Sequence, residues 1–486
     1  MPKKTRVEPL FLGATFDDFL LRPQRGRVES RRQIDLALPL VRGIVLRLPI
    51  VGANMDTVTG PEMAKALALE GGIGFLHRNG TIAEEARSVG LVKRQHAHII
   101  EEPRVLWRKH GLGEARRLME RLHISGILLE EKPGSRILAG ILSHRDVPGF
   151  PVAEDAPVER FMTPFEQLVT APPEVTLEEA EQRMYRHRKE KLPLIDQHRR
   201  IRGLITMRDL RLAKNRPDST KDAKGRLVVG ATIGVRGDFL ERAQAVLDAG
   251  ADCLLLDVAH AHSSVVEQGV KAFRRRFPGV PLVCGNVGTG EGASFLARLG
   301  AAAVKIGIGP GRGCRTRLET AAGVPQLQAV REAWLAVGDR VPLIADGGVR
   351  DDKDIALAIL AGASTVMLGS ALAGTDESPG VTIDDPSTGQ KTKIYRGMTS
   401  PQAVLAGATG EDADDLLATP QEGQTVEILY RGSVSSILAR IRGHLQSAVS
   451  YAGETSLRAA RAKVARAPGE YLIRLSEASR KESFVR

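Results

Sequence analysis

The chain has 486 residues and a formal net charge of +11, with 42% hydrophobic, 26% charged and 4% aromatic residues. That length accommodates two or more domains, or one large barrel with an insertion, and the composition is that of an ordinary soluble globular protein with a mostly aliphatic core. The basic residues are dispersed and not interleaved with aromatics, which argues against a nucleic-acid groove; the charge reads first as an Arg-rich surface and second as suited to phosphorylated ligands. Three cysteines, Cys253, Cys284 and Cys314, are too few for a disulfide framework and lack metal-ligand spacing. No run approaches a membrane span, and "MPKKTRVEPL" lacks the apolar core of a signal peptide, so a cytoplasmic, reducing location without membrane partners is expected.

In chain order, eight apolar runs each end in glycine or a polar residue: "LPIVGANMD", "GGIGFLH", "LVVGATIGV", "CLLLDVAHAH", "PLVCGNVGTG", "AAVKIGIGPG", "VPLIADGG" and "STVMLGSAL". Runs without alternation fit strands buried on both faces. Helical patterns lie between them, such as "GDFLERAQAVLDAG", "EGASFLARLG" and "DDKDIALAILAGA", with acidic residues early and glycine at or just past the end. Eight such units predict an α/β protein, a (β/α)8 TIM barrel. Asn54, Asp56, His77, Asp257, Asn286 and Asp346 would then share the rim where such barrels build their sites.

The rhythm breaks between residues 96 and 224, leaving barrel segments at 1–95 and 225–486. Within the break "AGILSHRDV" (139–147) is echoed by "RGLITMRDL" (202–210), each after a helix-then-strand pattern. Each echo places a hydroxyl, Ser143 or Thr206, three residues before an aspartate, Asp146 or Asp209. This resembles a tandem pair of CBS motifs (a Bateman module), with "VERFMTP" opening the second. The resemblance implies adenine or guanine nucleotides held with the aspartates on ribose hydroxyls; a purely structural module is the alternative. "NRPDSTKDAKGR" reads as a polar return linker.

Cys253 and Cys284 sit inside apolar runs, as structural thiols do. Cys314 lies beyond its strand in "GPGRGCRTR", flanked by Arg312, Arg315 and Arg317. Positive charge stabilises thiolate over thiol, so a nucleophile of depressed pKa is expected in preference to an incidental loop cysteine.

"KIGIGPGRGCRTRLETAAGVPQ" is similar to the active-site loop of the IMP dehydrogenase/GMP reductase family, and "TFDDFLLRP", "ANMDTVTGPEMAKALALEGGIGFLHRN", "LDVAHAHS", "CGNVGTGEGA", "IADGG", "MLGSALAG" and "YRGMTS" have counterparts in the same order. The resemblance implies redox chemistry at C2 of a purine nucleotide through a covalent cysteine–purine intermediate. A reductase releases ammonia from GMP and takes hydride from NADPH to give IMP; a dehydrogenase passes hydride from IMP to NAD and hydrolyses the adduct to XMP. Dehydrogenases carry an Arg-Tyr pair on a flap, but the corresponding stretch here, "SPQAVLAGATGEDADDLLATPQEG", has no arginine, tyrosine, histidine or lysine. Thr316 and Glu422 match the pair that handles the departing ammonia's protons, and Thr399 stands where dehydrogenases have glycine, able to accept from the 2-amino group.

A GMP reductase is therefore the expectation, with an IMP dehydrogenase using another base, or a non-catalytic purine-nucleotide sensor, as rivals. By resemblance Asp346 binds the ribose, Met55, Met398 and Thr399 border the base, the backbone of Gly348, Gly369 and Ser370 with Tyr395 holds the 5′-phosphate, and Gly347, Gly397 and Gly423 also belong to the nucleotide site. Asp257 and Asn286 match nicotinamide contacts, while Ser30, Arg31 and Arg78 match positions reaching the adenosine side, an arginine there favouring NADPH. Carbonyls of Gly309, Gly311 and Cys314 match a monovalent-cation site, K+ in the family. The chain departs from the pattern at Arg312, where serine is usual, and at Arg315, where a small polar residue is common. The resemblance implies a homotetramer or octamer.

Overall fold

The computed structural model of the chain describes residues 7–94, 100, 103–122, 124–208, 210–211, 216–384, 386, 389–407 and 420–484. It divides into two compact units: residues up to 95, 218–222 and from 227 onward in one, and 96–217 with 223–226 in the other.

The first unit is a closed barrel of parallel strands: β1 (Ile50–Gly52), β2 (Ile73–Leu76), β3 (Gly230–Ile233), β4 (Cys253–Asp257), β5 (Leu282–Val287), β6 (Ala303–Ile306), β7 (Leu343–Asp346) and β8 (Thr365–Leu368), with β8 closing on β1. Each of the eight apolar runs contributes one strand. Between successive strands lie α1 (Pro61–Leu69), α2 (Ile82–Arg94), α3 (Phe239–Asp248), α4 (Ser264–Arg276), α5 (Gly290–Arg298), α6 (Gln326–Val337) and α7 (Asp352–Leu360). After β8, α8 (Val434–Tyr451) covers the outside, packing on α7 and α1.

The strands are buried along nearly their whole length because helices cover one side and barrel filling the other. The exceptions are polar. In β4 only Asp257, in β7 only Asp346 and in β5 only Asn286 are half-buried, and all three sit at or next to the C-terminal strand ends. α7 begins with a reciprocal cap in which Asp351 and Asp354 satisfy each other's backbone, and buried Asp354 also accepts from Arg350 N and Lys353 Nζ. This cap starts α7 six residues after β7 ends, which keeps the connecting loop short at the rim.

The second unit shows the internal repeat as two halves. In the first, helix Leu112–Leu122 precedes the antiparallel pair Gly126–Glu130 and Leu138–Ser143; in the second, helix Leu177–Arg186 precedes Lys191–Ile195 and Ile201–Thr206. Each half has its own apolar cluster, and Leu128, Leu138, Ile141, Ile201 and Leu204 form a third that joins them. Ser143 donates from both its backbone N–H and its hydroxyl to Asp146 at 2.7 Å, closing the turn after the strand. Thr206 ends its strand at the equivalent place, and Asp209 lies outside the described residues. Among the described residues no helix is long and apolar enough to cross a membrane, and no group of His, Cys, Asp or Glu is arranged to hold a metal ion.

Candidate active site

The loop after β6 begins at Gly307, whose φ of +148° and near-contact with the Asp346 carbonyl leave no room for a side chain. Gln326 of α6 pins this start, donating from Nε2 to the carbonyls of Ile306 (2.8 Å) and Asp346 (3.1 Å). The chain then turns tightly, with Cys314 N–H donating to Gly311 O at 3.0 Å, and delivers Cys314 half-exposed at the barrel mouth.

Two distant segments lace onto that turn. Arg315 N–H donates to Glu422 O at 2.7 Å, Gln424 N–H to Gly313 O at 2.9 Å, and Gly397 N–H to Gln424 O at 3.0 Å. Gly423 pairs with Cys314 across an isolated antiparallel bridge. A side chain at Gly313 would strike the Gly397 backbone, so this approach requires glycine.

The thiol's direct partner is a hydroxyl. Cys314 Sγ lies 3.1 Å from Thr316 Oγ1, and that hydroxyl donates to Glu422 Oε2 at 2.6 Å. Thiol, hydroxyl and carboxylate thus form one line along which a proton can pass. The flanking arginines, expected to shape the thiol electrostatically, are mostly engaged elsewhere. Arg315 pairs with Glu319 at 2.7 Å, and Arg317 donates to Val324 O, although it stands near enough to Cys314 for their charges to interact.

Below the thiol a chain of polar groups crosses the barrel. Asn54 Nδ2 donates to Asp257 (2.8 Å), Lys305 Nζ contacts both Asp257 (2.9 Å) and Asp346 (2.8 Å), and Asn286 Nδ2 donates to Asp346 (2.9 Å). Lys305 is buried; burial works against its charge, but the two carboxylates outweigh that and hold its pKa above the ordinary lysine value. Tyr395 is buried beside Gly369, its hydroxyl 3.6 Å from Met55 Sδ, and burial, helped by the charges of Asp346 and Cys314, holds the phenol neutral.

These groups line one cavity of about 1610 Å3. A single small-molecule pocket is typically about 300–1,000 Å3, so the volume suits two ligands side by side. The cavity walls include Met55, Arg78, Asp257, Asn286, Gly309, Gly311, Cys314, Thr316, Asp346, Gly347, Gly348, Gly369, Ser370, Tyr395, Gly397, Met398, Thr399 and Glu422, as well as Arg312. Gly423 lies behind Cys314 as its bridge partner. Ser30 and Arg31 do not line it: Ser30 caps a short turn at Arg32, and Arg31 donates to Ser447 (3.0 Å) and lies over Tyr451 on α8. Of the expected rim residues, Asp56 and His77 are also off the cavity wall. Asp56 binds the Arg396 guanidinium and accepts from Asn79, and buried His77 Nδ1 has no hydrogen-bond partner among the described residues. Of the flap at 400–423, residues 408–419 lie outside the described residues.

Lys305, Gln326 and Arg396 are participants that the sequence reading missed, and Asn54 was expected at the rim without a role. Lys305 alone had a local signal, a lone charge inside the apolar run "AAVKIGI".

Fold and cavity together define a (β/α)8-barrel protein with a thiol at the mouth of one large cavity. The chain belongs to the IMP dehydrogenase/GMP reductase family: the family profile described as "IMP dehydrogenase / GMP reductase domain" matches residues 13–486. An inosine-5′-monophosphate dehydrogenase of Nitrosopumilus maritimus (strain SCM1) is 41% identical over 447 residues, covering 91% of this chain and 92% of that protein. A cysteine-to-alanine variant of Trypanosoma brucei GMP reductase in complex with guanosine 5′-monophosphate superposes with a TM-score of 0.88 at 36% identity, covering 97% of each chain. The T. brucei GMP reductase in complex with guanosine 5′-triphosphate gives a TM-score of 0.78 at 33% identity, over 96% of this chain and 98% of that one.

Proposed function

We propose that this protein is a GMP reductase, converting GMP and NADPH to IMP, ammonia and NADP. The observation that carries this reading is the Cys314–Thr316–Glu422 line, beside a flap sequence that has no basic residue and no tyrosine. Cys314, freed of its proton, adds to C2 of the base and forms a thioether carbon. Thr316, backed by Glu422, protonates the departing amine, so ammonia leaves and the C2–N bond breaks while the C2–S bond stays. A bound NADPH supplies the hydride that C2 then receives. Departure of the Cys314 thiolate completes IMP. No hydroxide is needed, so the lack of a base on the flap costs this direction nothing.

Asp346 accepts from the ribose hydroxyls, the backbone of Gly348, Gly369 and Ser370 with Tyr395 holds the 5′-phosphate, Met55, Met398 and Thr399 border the base, and Gly347, Gly397 and Gly423 complete the nucleotide site. Asp257, Asn286 and Arg78 receive the dinucleotide, with Ser30 and Arg31 reaching it only from elsewhere in an assembly. The carbonyls of Gly309, Gly311 and Cys314 suit a monovalent cation, which takes neutral oxygen donors; Gly311 O accepts Cys314 N–H and keeps its second lone pair. The second unit is read as a CBS pair binding purine nucleotides through Ser143, Asp146, Thr206 and Asp209, in a cytoplasmic homotetramer or octamer.

The 41% identity to an IMP dehydrogenase favours one second reading, oxidation of IMP with NAD to XMP. Parallel incubation with GMP plus NADPH and with IMP plus NAD separates them. Ammonia release with NADPH oxidation supports the reductase; NADH formation with XMP supports the dehydrogenase.

A further inference from the structure

Among the described residues, Lys305 is the one group that touches both carboxylates flanking the cavity floor. It rises from the middle of β6, is buried, and places Nζ 2.9 Å from Asp257 and 2.8 Å from Asp346. Its neighbour across the strand pair is Gly285, where a side chain would fall 2.5 Å from Lys305 Cβ. The barrel interior is therefore cut away to admit this ammonium. On the outer flanks Asn54 and Asn286 add neutral donors, one to each carboxylate. Tyr395 is the other titratable group coupled to Asp346, and its phenol is neutral.

We propose that Lys305 is a positioning residue that serves both ligands at once, orienting Asp257 for the dinucleotide and Asp346 for the purine nucleotide. Two carboxylates that share one nitrogen at these distances lie within about 6 Å of each other, and removing the cation between them leaves a repulsion that favours uptake of a proton by one. The two ligand sites are electrostatically coupled through this one ammonium. This rests on the reading that Asp346 and Asp257 belong to the two ligands.

The cluster carries a net charge of −1 in the wild type, −2 in Lys305→Met, and −1 again in the double variant Lys305→Met/Asp257→Asn. In Lys305→Met the KM values for both GMP and NADPH rise about tenfold at pH 7 and fall as pH rises, because a carboxylate that has taken up a proton must lose it before it can accept from a ribose hydroxyl. The wild-type values are flat over the same range. In the double variant the GMP KM returns to within about threefold of wild type and becomes flat, while the NADPH KM stays raised. Rescue at one ligand by removing the other ligand's carboxylate is a result that simple loss of packing cannot give. If the single variant does not fold, the double variant, with its charge restored, is the test. GMP binding that stays weak in the double variant, or a pH profile in Lys305→Met that coincides with wild type, overturns the inference. A wild-type protein that binds neither nucleotide overturns the functional reading itself.

Discussion

Glu422 accepts a 2.6 Å hydrogen bond from the hydroxyl of Thr316, a residue 106 positions earlier in the chain. That contact closes the segment at 420–424 onto the cysteine loop and lines up thiol, hydroxyl and carboxylate.

The line makes a direct prediction. Cys314→Ala is expected to lose turnover by about 10³-fold or more and to form no covalent purine adduct, while nucleotide binding persists. Thr316→Val and Glu422→Gln each lower kcat by about 10²–10³-fold with the GMP KM within about threefold. The double variant is no slower than the worse single one, because the two act as one relay. Mass spectrometry of the trapped adduct and steady-state kinetics read both; independent, additive losses would remove the relay.

Tyr395→Phe isolates the phenol at the proposed phosphate end. A hydrogen bond to a charged group contributes about 1.5–3 kcal/mol, so the GMP KM is expected to rise about tenfold or more. The hydroxyl's contacts in this structure are the weak one to Met55 Sδ and one to the Gly313 backbone, so the melting temperature should fall by a few degrees at most. An unchanged KM would take Tyr395 out of the nucleotide site.

Arg396 anchors the start of the flap as well as filling a charge. Its guanidinium binds Asp56 through both Nε and Nη2, while Nη1 donates to Gln402 O at 3.1 Å. Asp56 is 8% exposed at its side chain. Arg396→Ala leaves that carboxylate with Asn79 alone and should cost about 3 kcal/mol, seen as a lowered midpoint in denaturant. Limited proteolysis should cut sooner near Gln402 in the variant than in the wild type.

Glu85 is a pH-sensitive group of the barrel wall. It lies buried between α2 and α3, accepting from Arg242 Nη1 at 2.9 Å and from Thr232 N–H at 3.0 Å, and burial raises its pKa to about 7 against the pull of Arg242. The folded chain therefore holds this proton more tightly than the unfolded chain. The stability it contributes is fully present below the ordinary glutamate range and is lost as pH climbs toward 7. The size is on the order of 2 kcal/mol. The wild-type melting temperature should fall by a few degrees from pH 5 to pH 7, and Glu85→Gln should flatten that slope. A wild-type curve that rises across this window would show the opposite sign.

How much of this could be read without coordinates depends on the range of the interaction. The eight strands were legible because a barrel strand has no solvent face, so "CLLLD" and "LIAD" are apolar up to the residue that reaches the rim. Cys314 was legible for the converse reason: a cysteine outside any apolar run, in a glycine-rich turn, has no packing role to explain it. Ser143 and Asp146 showed themselves through the repeat, since their contact spans three residues.

The sequence by itself determined the barrel, the inserted repeat and the loop that presents the thiol, because burial period, turn chemistry and local capping act within a few residues. Only the tertiary structure decided which groups the thiol and the floor carboxylates meet. Thr316 faces Glu422, Lys305 joins Asp257 to Asp346, Arg315 turns to Glu319, and Arg31 lies on α8. Most of those partners stand tens to hundreds of residues apart, and barrel closure brings them together. A charge carries no mark of its partner until the chain around it has folded.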